Sequence, residues 1–455
     1  MQSLIDKEFE VKCIGINNYG KGVCKIDSLI CFVDDLYPDE IAKIKVIKEE
    51  KNLAYAKIIE FVKTSKHRIS PVCNHSTESG SCPFNDITYE YELELKKGIV
   101  KNNIERALKI DIGNINITSG DKISGYRNKV TVFFSLNEQN EPFFGSFIEK
   151  TNKLVRITSC VQIDSEFTHI INTLLNLIKK YNLEIADFIN KNGHIKGVSI
   201  RKSEYTNKIS IMILSRKDYK EFKEISNELS KAFKNITGIS VSIDNSFDTF
   251  VYSGVEHIYF GTPEIEEKLL NVIYRVSNKS FLQVNTSCAS KLYEKAISLA
   301  NLNKNDTVLD LYSGAGGISL NASKYSKIVY GIEEVSEAVD NAKYNASLNS
   351  IKNVKFYASD AKDYRKFIGK TKIDVLFVDP PRNGIKREVI NVILKDDINT
   401  IIYISCDSFT LANDLKLLSS KYIIKKVEAF NMFPRTRHVE VISVLSLKAW
   451  FICNK

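Results

Sequence analysis

The sequence predicts an α/β protein with a doubly wound parallel sheet in its C-terminal part, preceded by a small β-barrel and a central α+β region. Strand-like and helix-like stretches alternate from Thr286 onward, which is the pattern of a parallel sheet covered by helices. Residues 8–62 hold short β-rich runs separated by turn signals, with no helical pattern. Residues 120–260 alternate strands with two helical stretches. We therefore divide the chain into 1–63, 64–285 and 286–455.

Composition places the chain among soluble globular proteins. It has 455 residues, of which 44% are hydrophobic and 26% charged. No run of apolar residues approaches the length of a membrane span, and the N-terminus lacks the apolar core of a signal peptide. The nine cysteines are an odd number, which argues against a disulfide framework. We expect a cytoplasmic protein, independent of membranes and active as a monomer.

The charge of the chain is compatible with a nucleic-acid partner. The formal net charge is +9 at pH 7, and lysine is frequent. Many of these lysines also suit a solvated surface, so the charge alone does not establish RNA or DNA as the partner.

A glycine-rich turn follows the first strand of the predicted parallel sheet, in "TVLDLYSGAGGISLNASKY". Glycines there let the backbone approach a ligand in the crevice beyond the strand's carboxyl end. Ser319 stands where G-x-G-x-x-G would place its third glycine, so the dinucleotide fingerprint is absent and a nicotinamide-dependent oxidoreductase is disfavoured. The short turn after Asp310 instead resembles the S-adenosylmethionine site of class I methyltransferases. Glu333, which ends the next strand, suits the ribose hydroxyls of such a cofactor.

Acidic residues also follow the third and fourth strands. Asp360 is either a contact to adenine or a helix N-cap. Asp379 opens "DPPRNG", in which two prolines stiffen the turn. A (D/N)PP motif at this position is typical of methyltransferases that act on planar nitrogen-containing groups, and a plain Asp-Pro turn is the alternative.

A cysteine and a glutamate supply the pair of groups that methylation of uracil at carbon 5 requires. Carbon 5 becomes nucleophilic only after a thiolate adds to carbon 6, and a base must then remove the carbon 5 proton. Cys406 ends the strand of "YISCDSFTLANDL", and Glu440 precedes the last strand in "FNMFPRTRHVEVI". A buried packing thiol and a strand-edge carboxylate are the structural alternatives.

Three motifs together, "LFVDPPRNG", "YISCDSFTLANDL" and "FNMFPRTRHVEVI", resemble the RNA uracil-5-methyltransferases in sequence and order. The likeness extends over nearly the whole chain, through "KSFLQVN", "GYRNKV" and N-terminal strands that resemble a TRAM domain, an oligonucleotide-binding barrel. It implies that Cys406 is the nucleophile and Glu440 the proton acceptor. The residues that it implies for binding S-adenosylmethionine are Gln283, Tyr312, Gly314, Gly317, Glu333, Asp360 and Asp379. Gly317 departs from the Asn that many members carry there.

The resemblance also raises a possible [4Fe-4S] cluster. Cys73 and Cys82 match two of its ligands and Cys160 a third, but Ser79 replaces the remaining cysteine. Such a cluster normally takes four thiolates. Ligation by Ser79, ligation by His75 and an empty site are the alternatives.

The cysteine nucleophile needs a lowered pKa, which a helix N-terminus or a nearby cation provides. The segment after Cys406 has the character of a helix start. The candidate cations are Arg382, Arg435, Arg437 and His438, and each arginine is equally suited to a phosphate contact or to the surface.

The predicted substrate is a uridine in structured RNA. The TRAM-like region and the cluster-type cysteines favour 23S ribosomal RNA over transfer RNA. Methylation of RNA cytosine and a non-catalytic RNA-binding role are the less favoured alternatives.

Overall fold

The computed structural model describes residues 3–73, 81–148, 151–249 and 253–449. The N-terminal region forms one sheet in the order β1-β5-β6-β4-β3-β2. Alternating apolar residues of these strands enclose a core that includes the fully buried Cys13, Cys24 and Cys31. The sequence indicated short strands without a helix, and the strands are β1 (Glu8–Lys12), β2 (Gly15–Ile16), β3 (Gly22–Ile26), β4 (Leu29–Val33), β5 (Ile41–Glu50) and β6 (Leu53–Lys63).

The central region is built on a seven-stranded sheet with the order β10-β9-β8-β11-β12-β13-β14. Two amphipathic helices, α2 and α3, bury their apolar sides in the same core as this sheet. The elements are α1 (Tyr89–Leu108), β7 (Asn116–Ser119), β8 (Lys129–Leu136), β9 (Pro142–Phe147), β10 (Leu154–Arg156), α2 (Ser165–Lys180), β11 (Ile195–Lys202), β12 (Ile209–Ser215), α3 (Phe222–Ala232), β13 (Ile236–Ile243), β14 (Val255–Gly261) and a hairpin of β15 (Ile265–Leu269) and β16 (Val272–Val276).

The C-terminal region alternates strands and helices. Its elements are α4 (Thr286–Ala300), β17 (Thr307–Leu311), α5 (Gly317–Ala322), β18 (Ile328–Glu333), α6 (Ser336–Leu348), β19 (Val354–Ala358), α7 (Arg365–Ile368), β20 (Val375–Val378), α8 (Arg387–Lys395), β21 (Thr400–Ser405), α9 (Ser408–Leu418), β22 (Tyr422–Asn431) and β23 (Glu440–Leu447), with 3₁₀ turns at Ser323–Tyr325 and Ala361–Asp363.

These C-terminal strands form a sheet in the order β19-β18-β17-β20-β21-β23-β22-β7. Strands β17 to β21 pair in parallel, while β23 is antiparallel to both β21 and β22. The chain leaves β17 towards β18 on one side and returns to β20 on the other, so the crevice of this sheet opens at the carboxyl ends of β17 and β20. The predicted α/β fold class is confirmed.

Three parts of the central region pack with the C-terminal sheet. Strand β7 pairs in parallel with β22 at the sheet edge, and Val100 and Ile104 of α1 lie in the core beneath that sheet. The β15–β16 hairpin joins the core on the other side with α4. The boundaries at residues 63 and 285 stay predictions.

Among the described residues, no helix has both the length and the apolar content that crossing a bilayer requires.

Candidate active site

The end of β17 and the loop that follows it each contribute a buried polar atom to the crevice. Asp310 is 1% exposed, and its Oδ2 accepts a hydrogen bond from the Ser319 hydroxyl. Within the described part of the chain, the buried Asp310 Oδ1 and Ser313 Oγ have no hydrogen-bond partner. An unpaired buried polar atom is costly, so these two atoms are suited to a polar ligand in the crevice.

The turn that follows depends on left-handed backbone conformations. Tyr312, Gly314 and Gly316 have φ of 65°, 53° and 89°. A Cβ at Gly316 would lie 3.0 Å from the Phe356 ring, whereas a Cβ at Gly314 would have no atom within 4 Å. Gly314 therefore faces open space, and Gly316 is needed for close packing.

Gly317 lies against a buried tyrosine. A Cβ there would lie 3.0 Å from the Tyr293 hydroxyl oxygen, and Tyr293 is buried in the core. This contact gives a physical reason for glycine at this position, because a side chain at 317 requires Tyr293 to move.

Glu333 holds the glycine turn at the end of β18. Its Oε2 accepts from the Gly314 N–H at 3.0 Å, and its Oε1 accepts from the Val335 N–H at 2.9 Å. Each carboxylate oxygen has a second lone pair for a ligand hydroxyl. Asp360 accepts from the Lys362 N–H at 3.0 Å as the N-cap of a 3₁₀ turn, and this hydrogen bond lowers the pKa of Asp360.

Gln283 is buried, and the "GYRNKV" motif fixes its backbone. Asn128 Nδ2 donates to Gln283 O at 3.0 Å and to Thr286 Oγ1 at 2.9 Å, and the Asn128 N–H donates to Val284 O. Two motifs far apart in the sequence are therefore in direct contact beside α4.

Cys406 and Glu440 meet where β21 ends and β23 begins. Ser405 pairs with Val441 in antiparallel register, and the next step of that register places Cys406 opposite Glu440. On its other side Glu440 pairs with Phe430 of β22. Asp379 follows β20, the other neighbour of β21, so the strand ends bring all three predicted residues to one edge of the sheet.

Burial raises the pKa of the carboxyl groups at this edge. The pKa of Glu440 rises to about 8, first through burial and then through the charge of Asp379. Burial also raises the pKa of Asp379 and of Asp310 to about 7. In the free site, the three carboxyl groups therefore gain and lose their protons in the neutral pH range.

In the free protein the Cys406 thiol is not activated. The pKa of Cys406 is raised to about 12, because burial opposes the thiolate and the charge of Glu440 adds to that effect. The predicted helix does follow, with Asp407 as the N-cap of α9, but it does not offset the burial.

Of the candidate cations, Arg382 acts on Cys406 by lowering its pKa. The buried Arg435 donates to the carbonyls of Phe84 and Ile87, and the Arg437 guanidinium carbon lies 4.8 Å from the centre of the Tyr19 ring. Burial lowers the pKa of His438 to about 3, so it is neutral.

The residues described around the predicted cluster do not form a metal site. The Cys82 thiol is 4% exposed and accepts from Gln162 Nε2 at 2.9 Å, and burial raises the pKa of Cys82 to about 11. Cys73 and Cys160 are half-buried. No group of three or more Cys, His, Asp or Glu side chains in the described ranges is placed to bind a metal ion. Ser79 and His75 lie outside the described residues.

The crevice fits S-adenosylmethionine. The unpaired atoms of Asp310 and Ser313 and the open space at Gly314 are suited to polar groups of the cofactor. Sequence reasoning noted Asp310 only as the residue before the turn and missed Ser313, although both stand in the quoted motif.

Comparisons with known proteins agree with this geometry. A model of the tRNA (uracil-5-)-methyltransferase family matches residues 88–448. An uncharacterised RNA methyltransferase of Staphylococcus aureus is 32% identical over 440 residues, covering 96% of this chain and 97% of the relative. One from Oceanobacillus iheyensis is 32% identical over 443 residues, with 95% of each chain covered.

The fold has a solved counterpart. The tRNA (uracil-54, C5)-methyltransferase of Pyrococcus abyssi, in complex with S-adenosyl-L-homocysteine, superposes with a TM-score of 0.75 at 22% identity, covering 96% of this chain and 100% of that one. With the family match over most of its length, the chain belongs to the tRNA (uracil-5-)-methyltransferase family of S-adenosylmethionine-dependent RNA-methylating enzymes.

Proposed function

We propose that this enzyme methylates carbon 5 of a uridine through a covalent adduct between Cys406 and carbon 6 of the base, with Glu440 as the proton acceptor. The observation that carries the proposal is that the pairing of β21 with β23 ends at Ser405 and Val441, directly beside Cys406 and Glu440, where the charge of Glu440 acts on the pKa of Cys406. A thiol and a carboxyl group at facing strand ends can both reach one flipped base.

In the first step the Cys406 thiol loses its proton to solvent, its sulfur bonds to carbon 6, and the electron pair of the carbon 5–carbon 6 double bond moves towards carbon 5. The bound cofactor supplies the electrophilic methyl group for that carbon. Arg382 favours this step, because its charge lowers the pKa of the Cys406 thiol against the effect of burial.

In the last step Glu440 takes the proton from carbon 5. The double bond forms again, the bond between carbon 6 and sulfur breaks, and its electron pair returns to Cys406. Glu440 accepts a proton only when it is ionised, and its pKa of about 8 makes it a stronger base than an exposed carboxylate.

Substitution Cys406→Ala tests the nucleophile. The variant should bind S-adenosylmethionine with unchanged affinity in calorimetry and lose methylation of RNA, and a fully active variant would end the covalent mechanism. Cys288→Ala is the matched control, because Cys288 is also a buried thiol whose pKa the charge of Glu440 raises. It should keep its activity.

RNA that carries 5-fluorouridine tests the order of steps. Fluorine replaces the proton that Glu440 would remove, so the adduct with Cys406 should persist and shift the protein on a denaturing gel. Absence of the adduct with an RNA that the enzyme otherwise methylates would contradict the mechanism.

For the substrate we propose a uridine of large-subunit ribosomal RNA, supported by the N-terminal strand-rich region beside the site. Transfer RNA is the second candidate, favoured by the description of the matching family. Mass-spectrometric mapping of 5-methyluridine in total RNA, with and without the gene, decides between them. The iron–sulfur cluster stays a prediction, and iron analysis of anaerobically purified protein tests it.

A further inference from the structure

The segment between β22 and β23, residues 432–439, is held by groups from other parts of the chain. Four consecutive carbonyl oxygens of this segment each accept a hydrogen bond. Asn285 Nδ2 donates to Met432 O at 3.0 Å, Lys96 Nζ to Phe433 O at 3.1 Å, the Tyr126 hydroxyl to Pro434 O at 3.1 Å, and the Phe84 N–H to Arg435 O at 3.2 Å. Because the segment leads directly into Glu440, its backbone position contributes to where the Glu440 carboxylate lies, together with the pairing of Glu440 with Phe430.

A buried ion pair on α1 is the centre of these contacts. Lys96 and Glu92 are both 0% exposed, and Lys96 Nζ lies 2.9 Å from Glu92 Oε1. Lys96 also donates to Asn431 Oδ1 at 2.7 Å. Glu92 Oε1 accepts from Asn431 Nδ2 at 3.0 Å and from the Arg435 N–H at 2.9 Å. The pair thus binds both the last residue of β22 and the middle of the 432–439 segment.

The conformation that this pair holds is an uncommon one. Arg435 has φ of 71°, in the left-handed region that side-chain-bearing residues rarely adopt. Desolvation makes a buried ion pair a weak source of net stability, compared with apolar side chains of similar volume. Its directional hydrogen bonds, in contrast, fix the path of the backbone.

We propose that Lys96 and Glu92 are positioning residues that hold the 432–439 segment, and through it the Glu440 carboxylate, in place for removal of the carbon 5 proton. The inference rests on the proposed function. The thiol step should be separable, because Cys406 follows β21 and leads into α9, which its own N-cap Asp407 stabilises through the N–H groups of Phe409 and Thr410.

The test is the double variant Lys96→Met with Glu92→Gln, which removes both charges of the pair together, while Arg435, also near Glu92, keeps its hydrogen bonds to the Phe84 and Ile87 carbonyls. Loosening of the segment should lower turnover by about tenfold or more. With ordinary uridine RNA, the covalent adduct should accumulate on a denaturing gel, because proton removal has become slow. With 5-fluorouridine RNA the adduct should form as in the unaltered enzyme, because that reaction does not need Glu440.

Lys101→Met is the matched control, since Lys101 is also on α1 but is a partly exposed lysine that pairs with Glu105. It should leave turnover unchanged. Turnover of the double variant within twofold of the unaltered enzyme would overturn the inference. So would a parallel loss of turnover and of the 5-fluorouridine adduct, because that pattern means general damage. Failure of the proposed function itself is distinguishable, since the unaltered enzyme would then form no 5-fluorouridine adduct.

If the double variant does not fold, the substitution Tyr126→Phe tests the same inference. It removes a single hydroxyl, whose hydrogen bond is to Pro434 O, and keeps the ring. Turnover should fall about fivefold, with the same accumulation on uridine RNA. Unchanged turnover, or loss of the 5-fluorouridine adduct in step with turnover, would overturn the inference.

Discussion

Three carboxyl groups lie at the crevice, and burial raises the pKa of each into the neutral range. Asp310 and Asp379 have pKa values of about 7 and Glu440 about 8. Three ionised carboxylates this close together would repel one another in a low-dielectric site. At neutral pH these groups are therefore only partly ionised, and Glu440 must be in its ionised form before it can act as a base.

Substitution Glu440→Gln should stabilise the free protein, and more so at alkaline pH. The pKa of Glu440 is raised from an ordinary value near 4.5 to about 8 in the fold, so the folded state binds the proton more tightly than the unfolded chain. The contribution of Glu440 to stability therefore falls as the pH rises from about 4 to 8. The gain in melting temperature should be about 2 °C or more greater at about pH 8.5 than at about pH 5.5.

The exposed Glu294 on α4 provides the control for this measurement. Glu294→Gln should change the melting temperature little, and equally at the two pH values. An equal effect of Glu440→Gln at both would contradict a raised pKa for Glu440.

Substitution Arg382→Gln should shift the pH dependence of methylation. The charge of Arg382 lowers the pKa of both Cys406 and Glu440, so without it both groups hold their protons to higher pH. The rate of methylation should rise with pH up to about 8 in the unaltered enzyme, and the midpoint of that rise should move upward by about 0.5 or more in the variant. Arg382→Lys should restore the original midpoint. A change in KM for RNA with no shift of the midpoint would mean a phosphate contact instead.

At the scale of single residues, the sequence predicts which residues form the site better than it predicts their protonation states. The strand end and the helix start placed Cys406 at the sheet edge, and the register agrees. The raised pKa of its thiol was not predictable, because it comes from burial by distant segments and from Glu440 across the strand pair. The contacts of Arg435 were not predictable either: the sequence made it a candidate cation, and its guanidinium donates to main-chain carbonyls.

At the scale of elements, the turn between β17 and α5 contains one glycine that faces the crevice and one that packs against a neighbouring side chain. Gly314 and Gly316 both have positive φ, so alanine carries a similar backbone cost at either position. The neighbourhoods differ, since Gly316 lies against Phe356 and Gly314 faces open space.

Substitution Gly316→Ala should therefore lower the melting temperature more than Gly314→Ala, by about 2 °C or more. Gly314→Ala should instead weaken the binding of S-adenosylmethionine, because its methyl group would project into the crevice. Differential scanning fluorimetry and calorimetric titration of the two variants check this pair. Equal losses of stability would contradict the packing role of Gly316.

The parallel strands could be predicted from apolar runs and the glycine turn, but the origin of the last strand of the sheet could not. Strand β7 is Asn116–Ser119, a short polar segment without the pattern of a buried strand. It forms a strand because it pairs with the edge of β22. Sequence patterns do not show such long-range pairing. For the same reason, the sequence does not show which side of α1 packs against the sheet.

In the whole molecule, the N-terminal sheet is docked at the rim of the active site. Asn103 of α1 donates through Nδ2 to Asn18 Oδ1 and to Ser408 Oγ, each at 2.8 Å. Tyr19, in the turn between β2 and β3, lies under the Arg437 guanidinium and is 59% exposed. We propose that the three predicted regions, 1–63, 64–285 and 286–455, bind RNA as one surface around this rim.

Substitution Tyr19→Ala should raise KM for RNA about fivefold or more, because an exposed aromatic ring beside an arginine can stack with a base. The affinity for S-adenosylmethionine should not change. Tyr325→Ala, which alters another exposed tyrosine on the catalytic region, should leave KM for RNA unchanged. An unchanged KM in Tyr19→Ala would exclude this turn from the RNA-binding surface.

The pairing of β7 with β22 has a consequence for synthesis of the protein on the ribosome. Residues 116–119 are translated long before their partners at 428–431, and at the usual rates of translation the interval is about 15–60 s. During that time the apolar side of α1, with Val100 and Ile104, lacks the sheet that covers it in the finished protein. The nascent chain should therefore depend on chaperones until β22 emerges, and truncation before that strand should yield an aggregating product.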